Sequence, residues 1–312
     1  MSISSIIITV LGLCLFEIIS SVDNAVVNAE VLGTMSKKAQ KWFLFWGLLF
    51  AVFVVRGLLP WIIVWAATPG FGPIEALTAT FSNNSTALAA IEASAPVLLV
   101  GGGLFLIFLF FHWLFLEEKN IGLTVEKFFL KRGIWFYTVV SIILSVVVWF
   151  ALKENLYVAF GAVVGSTAFF ITHGFKQNAE SQEKRLLGKE SSGISDISKI
   201  LYLEVIDTTF SIDGVLGAFA FTLSVPLIII GSGVGALVLR QLTVGNIDRI
   251  KKYVYLKNGA MYSILCLGVV MLLGAFGVEI KEWVSPVVTF VVIGYFFMKS
   301  KLALKVKLVG EN

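Results

Sequence analysis

The stretch Glu204-Val-Ile-Asp207-Thr-Thr-Phe-Ser211-Ile-Asp213-Gly214 places three carboxylates and several hydroxyls inside a segment that otherwise reads as membrane-spanning. A charged side chain near the bilayer centre costs at least about 2.5 kcal/mol, so it is normally kept because it handles an ion, a proton or a partner charge. The stretch has an echo near the N-terminus, Glu17-Ile-Ile-Ser-Ser21-Val-Asp23-Asn24. Aligning Asp23 with Asp213 also sets Ser21 on Ser211 and Glu17 on Asp207, so both copies obey the pattern acid-x3-Ser-x-Asp. Everything else in the chain reads as the frame around these two segments.

Composition fixes the class of that frame. Hydrophobic residues make up 58% of the 312 positions and charged residues only 14%. With a mean hydropathy of +0.92, this is far too apolar for a soluble domain of the same length. The expectation is an all-α polytopic membrane protein whose first partner is the lipid bilayer. Cys14 and Cys266 stand alone in apolar runs, without paired spacing for a disulfide, zinc or redox centre, and read as packing residues. The opening Met1-Ser-Ile-Ser lacks a basic residue and the first apolar run contains Glu17 and Asp23, so that run is expected to stay in the mature protein.

Runs long enough to cross about 30 Å of hydrocarbon occur about nine times, with cores near 6–29, 43–65, 96–116, 133–152, 156–172, 200–221, 226–243, 258–276 and 284–298. Only Lys153-Glu154-Asn155 separates the fourth from the fifth, which therefore read as a hairpin. Alternate connections carry the basic residues. Lys37, Lys38 and Lys41 fall in the first, Lys119 to Arg132 in the third, Lys176 to Lys199 in the fifth, Arg249 to Lys257 in the seventh, and Lys299 to Lys307 in the tail. The intervening connections hold only Lys153 and Lys281. By the positive-inside rule the N-terminus is outside and the C-terminus cytoplasmic, in what is expected to be a prokaryotic plasma membrane. The basic clusters thus set topology, and the net charge of +4 does not point to nucleic acid.

Two halves emerge. Residues 1–117 form a first three-helix repeat, 118–173 a connecting helical hairpin, and 174–199 a polar cytoplasmic linker. Residues 200–278 form a second three-helix repeat, and 279–312 a final helix with a basic tail. Val54-Val55-Arg56 in the second span resembles Val238-Leu239-Arg240 in the seventh. The two acidic helices are an odd number of crossings apart, so they run in opposite directions and the halves form an inverted repeat. In transporters of that design the site lies near the midplane, where the repeats meet.

Helical geometry places Glu17, Ser20, Ser21, Asn24 and Asn28 on one face, with Asp23 about 120° away. The same offset separates Asp207 from Asp213, while Glu204 shares the face of Asp207 and Ser211. One cation can meet all these oxygens only if the helix unwinds near Ser-x-Asp, which Gly214 favours in the second copy, or if Asp23 and Asp213 meet the opposite repeat. Carboxylate, hydroxyl, amide and carbonyl oxygens suit hard divalent ions such as Mg²⁺, Ca²⁺ and Mn²⁺. Glu17, Asp23, Glu204, Asp207 and Asp213 exceed the charge of one such ion, which implies two ions or exchange with protons. Arg56 and Arg240 are the charge-balancing or gating candidates.

The Glu-x3-Ser-x-Asp-Asn-Ala run at 17–25 and the Glu-x2-Asp-x2-Phe-Ser-x-Asp run at 204–213 resemble the two signatures of the TerC family of integral membrane proteins. Within it the chain looks closest to an uncharacterised membrane-protein branch. That family is related to the LysE superfamily of exporters, includes manganese efflux proteins, and takes its name from tellurium-resistance operons. The resemblance implies export of Mn²⁺, as substrate and not as a permanently bound cofactor, through Glu17, Ser21, Asp23, Asn24, Glu204, Asp207, Ser211 and Asp213. Gly214 departs from it, standing where the first motif has Asn24.

Duller readings stand beside these. The acids can be structural partners of Arg56 and Arg240; Ser20, Thr208 and Thr209 can bond backbone carbonyls; His112 and His173 read as interfacial; and the tryptophans fit an interfacial belt. Neither a Walker motif nor an intramembrane protease signature is present, so no enzyme activity is expected. The alternatives to a proton-coupled cation exporter are a LysE-like transporter of another small solute and a non-transporting component of a stress-resistance complex.

Overall fold

The computed structural model describes residues 2–47, 49–50, 54, 56–68, 72–76, 85–118, 123–187 and 195–310; within them, the side chains of Asp23, Asn24, Arg56 and Arg240 lie outside the description. Among the described residues every regular element is a helix. Helices α1 (Ile3–Ser20) and α2 (Val22–Gly33) make up the first expected span, separated by Ser21 alone. Next come α3 (Lys37–Trp42), a π-helical turn at Phe43–Gly47, α4 (Arg56–Ala67) and α5 (Ser85–Leu116). The middle of the chain holds α6 (Thr124–Leu130), α7 (Trp135–Glu154) and α8 (Leu156–Leu187). The second half comprises α9 (Asp196–Ala218), α10 (Val225–Lys251), α11 (Leu256–Ala275) and α12 (Val284–Gly310).

Six of these segments are long and apolar enough to cross a membrane: Ile3–Ser20, Ala93–Leu116, Trp135–Glu154, Leu156–Gln177, Leu256–Ala275 and Val284–Leu304. The protein is therefore an all-α polytopic membrane protein. The shorter apolar helices Gly57–Ala66 and Val225–Leu239 fall on the second and seventh expected spans. The remaining expected span is α9, whose 23 residues extend about 34 Å but include the acids of the second motif.

Helix α5 is the axis of the bundle, flanked by α8 on one side and α11 on the other. Lipid is as apolar as the helix surfaces, so association depends on close packing, which small residues permit. A Cβ on Gly101 would lie 2.9 Å from the Gly161 carbonyl oxygen of α8, and one on Gly103 would lie 2.9 Å from the Gly268 oxygen of α11. Below these contacts the rings of Phe105 and Phe108 meet Phe169 edge-on, each pair 5.8 Å apart. The α1–α10 contact repeats the device. A Cβ on Gly231 would come within 2.6 Å of the Leu13 Cβ, and one on Gly235 within 2.7 Å of the Glu17 Cβ.

Two expectations are corrected. Residues 174–187, expected to begin a flexible linker, continue α8 without interruption; they are rich in Glu, Gln, Lys, Arg and Leu, which favour helix even where they are polar. The helix break expected at Gly214 does not occur, because α9 runs through it to Ala218. The regular dihedrals lapse instead in the first copy, at Ser21 (φ −99°, ψ 6°). The tight hairpin of the fourth and fifth spans is present, with Asn155 alone between α7 and α8 in an extended conformation.

Gly103→Val should lower the thermal unfolding midpoint in detergent by an amount corresponding to about 1–3 kcal/mol of overpacking. Gly294→Ala, where a Cβ would meet nothing within 4 Å, should leave it unchanged or raise it by up to the equivalent of about 1 kcal/mol.

Candidate functional site

The two acidic motifs lie against each other along a single antiparallel contact. From the N-terminal side, Phe16 covers Gly217 and Glu17 covers Gly214, then Asn28 meets Asp207, Thr34 meets Lys199 and Ser36 meets Asp196. As numbering rises through α1 and α2 it falls along α9, so the two elements run in opposite directions, as expected.

Glu17 is 1% exposed. Its Oε1 accepts from the Ser21 hydroxyl at 2.9 Å, while its Oε2 lies over Gly214, 3.2 Å from where a Cβ would stand. Gly235 of α10 makes room for the same side chain from behind. Gly214 is thus explained by close approach: the second motif has no side chain where the first inserts its carboxylate.

About 10 Å further along α9, Asp207 accepts from Asn28 Nδ2 at 2.8 Å and is 7% exposed. Asn28 Oδ1 is buried and has no hydrogen-bond partner among the described residues. The Ser211 hydroxyl donates to the Asp207 carbonyl at 2.6 Å, and Thr208 to the Glu204 carbonyl at 2.7 Å. Both hydroxyls are therefore engaged with their own helix; Ser20 behaves likewise toward the Glu17 carbonyl. The Glu204 carboxylate rests over Gly47 in the π-helical turn.

Asp213 faces elsewhere, as its rotational offset from Asp207 requires. It pairs with Lys176 of α8 at 3.5 Å, the two side chains being 15% and 20% exposed. The expected countercharges Arg56 and Arg240, and the ligand candidates Asp23 and Asn24, have side chains outside the described residues. Lys176 had been read only as a loop charge. Glu126 was also missed: it is fully buried on α6, and both its oxygens accept from Asn258 Nδ2 at 2.8 Å. That contact ties α6 to α11 and lies apart from the acidic motifs.

Among the described residues, no three His, Cys, Asp or Glu side chains gather as a metal-holding group. The motif acids instead mark separate positions: Glu17 with Ser21, Asp207 with Asn28, Glu204 at the π-turn, and Asp213 on Lys176.

A family model described as a protein of unknown function (DUF475) matches residues 22–306. The chain belongs to that family. No curated protein and no solved structure matches it. In this DUF475 protein the matched residues include the whole second motif, while Glu17 and Ser21 precede them.

The Asn28–Asp207 contact can be isolated by a double-mutant cycle. Asn28→Ala should destabilise the protein by about 1–3 kcal/mol through loss of a buried hydrogen bond to a carboxylate, and the double variant with Asp207→Ala should lose less than the two single variants added together in thermal unfolding.

Proposed function

We propose that the protein exports a divalent cation, Mn²⁺ by preference, through proton-coupled alternating access. Glu17, Ser21, Asp23, Asn24, Glu204, Asp207, Ser211 and Asp213 are the groups the cation meets during the cycle. The observation that carries this reading is the antiparallel apposition of the two motifs, with Glu17 seated on Gly214 and Asp207 on Asn28. Opposed acidic helices at the junction of two halves are the arrangement from which inverted-repeat transporters build a midplane site. The polar donors are oxygens, which suits a hard divalent ion. The TerC resemblance of the motifs points to the same substrate.

The ion pair of Lys176 with Asp213 fits an exchange site at which the ammonium and a cation alternate as partners of the carboxylate. At one end of the antiparallel contact Lys199 Nζ donates to Thr34 Oγ1 at 3.0 Å and Asp196 accepts from the Ser36 backbone at 3.3 Å. Beneath them Val31, Leu32, Met35, Phe43, Ile200 and Leu203 form an apolar plug. The loop charges assign this end to the cytoplasm, so the plug is the barrier that an inward-open state parts.

The Lys176–Asp213 pair also favours a second reading, in which the acids are structural and the protein carries no flux. Charge-conserving exchange separates the two. In proteoliposomes Asp213→Glu should reduce Mn²⁺ flux by more than about tenfold if geometry at a cation site governs transport. Wild-type flux in Asp213→Glu and in Asp207→Asn would sink the exporter reading, as would the absence of Mn²⁺ flux in folded wild-type protein.

A further inference from the structure

Between the span that ends at Leu116 and the span that begins at Trp135 lies a short helix whose two faces are the wrong way round for water. In α6 and the turn after it, Thr124-Val-Glu-Lys-Phe-Phe-Leu-Lys-Arg-Gly-Ile-Trp135, the one acid points inward. Glu126 is fully buried, accepts from Asn258 Nδ2 of α11 with both oxygens at 2.8 Å, and also accepts from the Leu123 amide at 2.8 Å. Phe129 packs against Phe115 of α5 with ring centroids 5.2 Å apart, and a Cβ on Gly133 would lie 3.0 Å from the Leu116 side chain. These contacts fix which side of α6 faces away from the bundle. That side carries Val125 and Phe128 and continues into Ile134 and Trp135, all more than half exposed, Ile134 to 83%.

Interleaved with these apolar groups are Lys127, Lys131 and Arg132, which are exposed as well. Among the described residues none of the three makes an ion pair: Glu126 is turned inward, Glu117 pairs with Lys257, and Glu118 at the end of α5 is the one exposed acid of this connection. The Arg132 guanidinium sits 3.7 Å above the centre of the Phe128 ring. The turn that presents it is closed by the Arg132 amide donating to the Phe129 carbonyl at 2.8 Å and the Trp135 amide donating to the Arg132 carbonyl at 2.9 Å.

We propose that α6 and the turn after it form a binding site for an anionic phospholipid. The headgroup phosphate sits against Lys131 and Arg132, and the acyl chains lie along Phe128, Ile134 and Trp135. Large apolar side chains mixed with uncompensated cations, at the ends of two membrane spans, are complementary to an anionic amphiphile. Free phosphate has no chains to cover the apolar groups, and a choline headgroup brings a cation of its own to a face that is already positive. A guanidinium held on a ring keeps its N–H fork for a second partner, and phosphate fits that fork. Because Glu126 ties α6 to α11 and the turn runs directly into α7, the bound lipid braces the ends of neighbouring helices at one point. The site is independent of what the acidic motifs carry.

The full-length protein is placed in nanodiscs of phosphatidylcholine doped with tail-brominated phosphatidylglycerol or, separately, with tail-brominated phosphatidylcholine. Quenching of Trp135 is read as the difference between each protein and its Trp135→Phe counterpart. The glycerol lipid should half-quench Trp135 at a mole fraction about tenfold lower than the choline lipid, and Lys131→Gln and Arg132→Gln should each reduce that preference by about fivefold. Lys153→Gln, at the far end of α7, should leave the preference unchanged, and millimolar inorganic phosphate should not relieve the quenching. Equal quenching by the two lipids in wild type would overturn the proposal. So would an undiminished preference in the folded Lys131→Gln/Arg132→Gln double variant, a matching loss in Lys153→Gln, or competition by inorganic phosphate.

Discussion

A carboxylate can remain inside an apolar helix bundle only where the bundle lodges it, and Glu17 is the tightest case in this protein. Its side chain is enclosed by two glycines from separate helices, Gly214 of α9 and Gly235 of α10, and held by the hydroxyl of Ser21, the residue that joins α1 to α2. The desolvation penalty of such a group is several kcal/mol unless hydrogen bonds and charges offset it. Moving α1 by even one residue along α9 would set Glu17 against a side chain and separate Asn28 from Asp207. The register of the first helix pair against the second half therefore follows from where this acid fits.

The connecting hairpin has more than a spacer's role. Gly161 and Gly165 bring α8 against α5, and the same helix then delivers His173 and Lys176 to groups on α5 and α9. The axial helix α5 also contacts α11 through Gly103 and Gly268. Backbone proximity at these points leaves little room for the helices to slide.

Much of this was legible in the sequence. The apolar runs located the helices because lipid imposes a minimum length, and the repeated acid-x3-Ser-x-Asp pattern identified the two elements that meet. Helical rotation alone foretold that Asp213 would face away from Asp207. The partner of Asp213 was hidden because Lys176 sits in a basic cluster, where each residue looked equally like a topology signal. The contact of His112 with His173, whose ring centroids are 3.7 Å apart, was hidden for a different reason: it joins two helices that share no motif. Gly214 was misread because a glycine in a helix suits either a break or a close approach, and only the arrival of the Glu17 carboxylate distinguishes them. The π-helical turn at Phe43–Gly47 carries no composition cue.

The single-residue joint at Asn155 bears on how the protein is made. With 20 residues of apolar helix on one side and the 32-residue α8 on the other, neither arm can enter the bilayer while the other stays in water. A joint this short favours integration of the two arms together, as one hairpin. Such a unit returns the chain to the side from which it came. A hairpin that returns the chain to its starting side leaves the direction of α9 to follow from that of α5, so the opposed arrangement of the acidic helices is a consequence of chain connectivity as much as of their polar contacts.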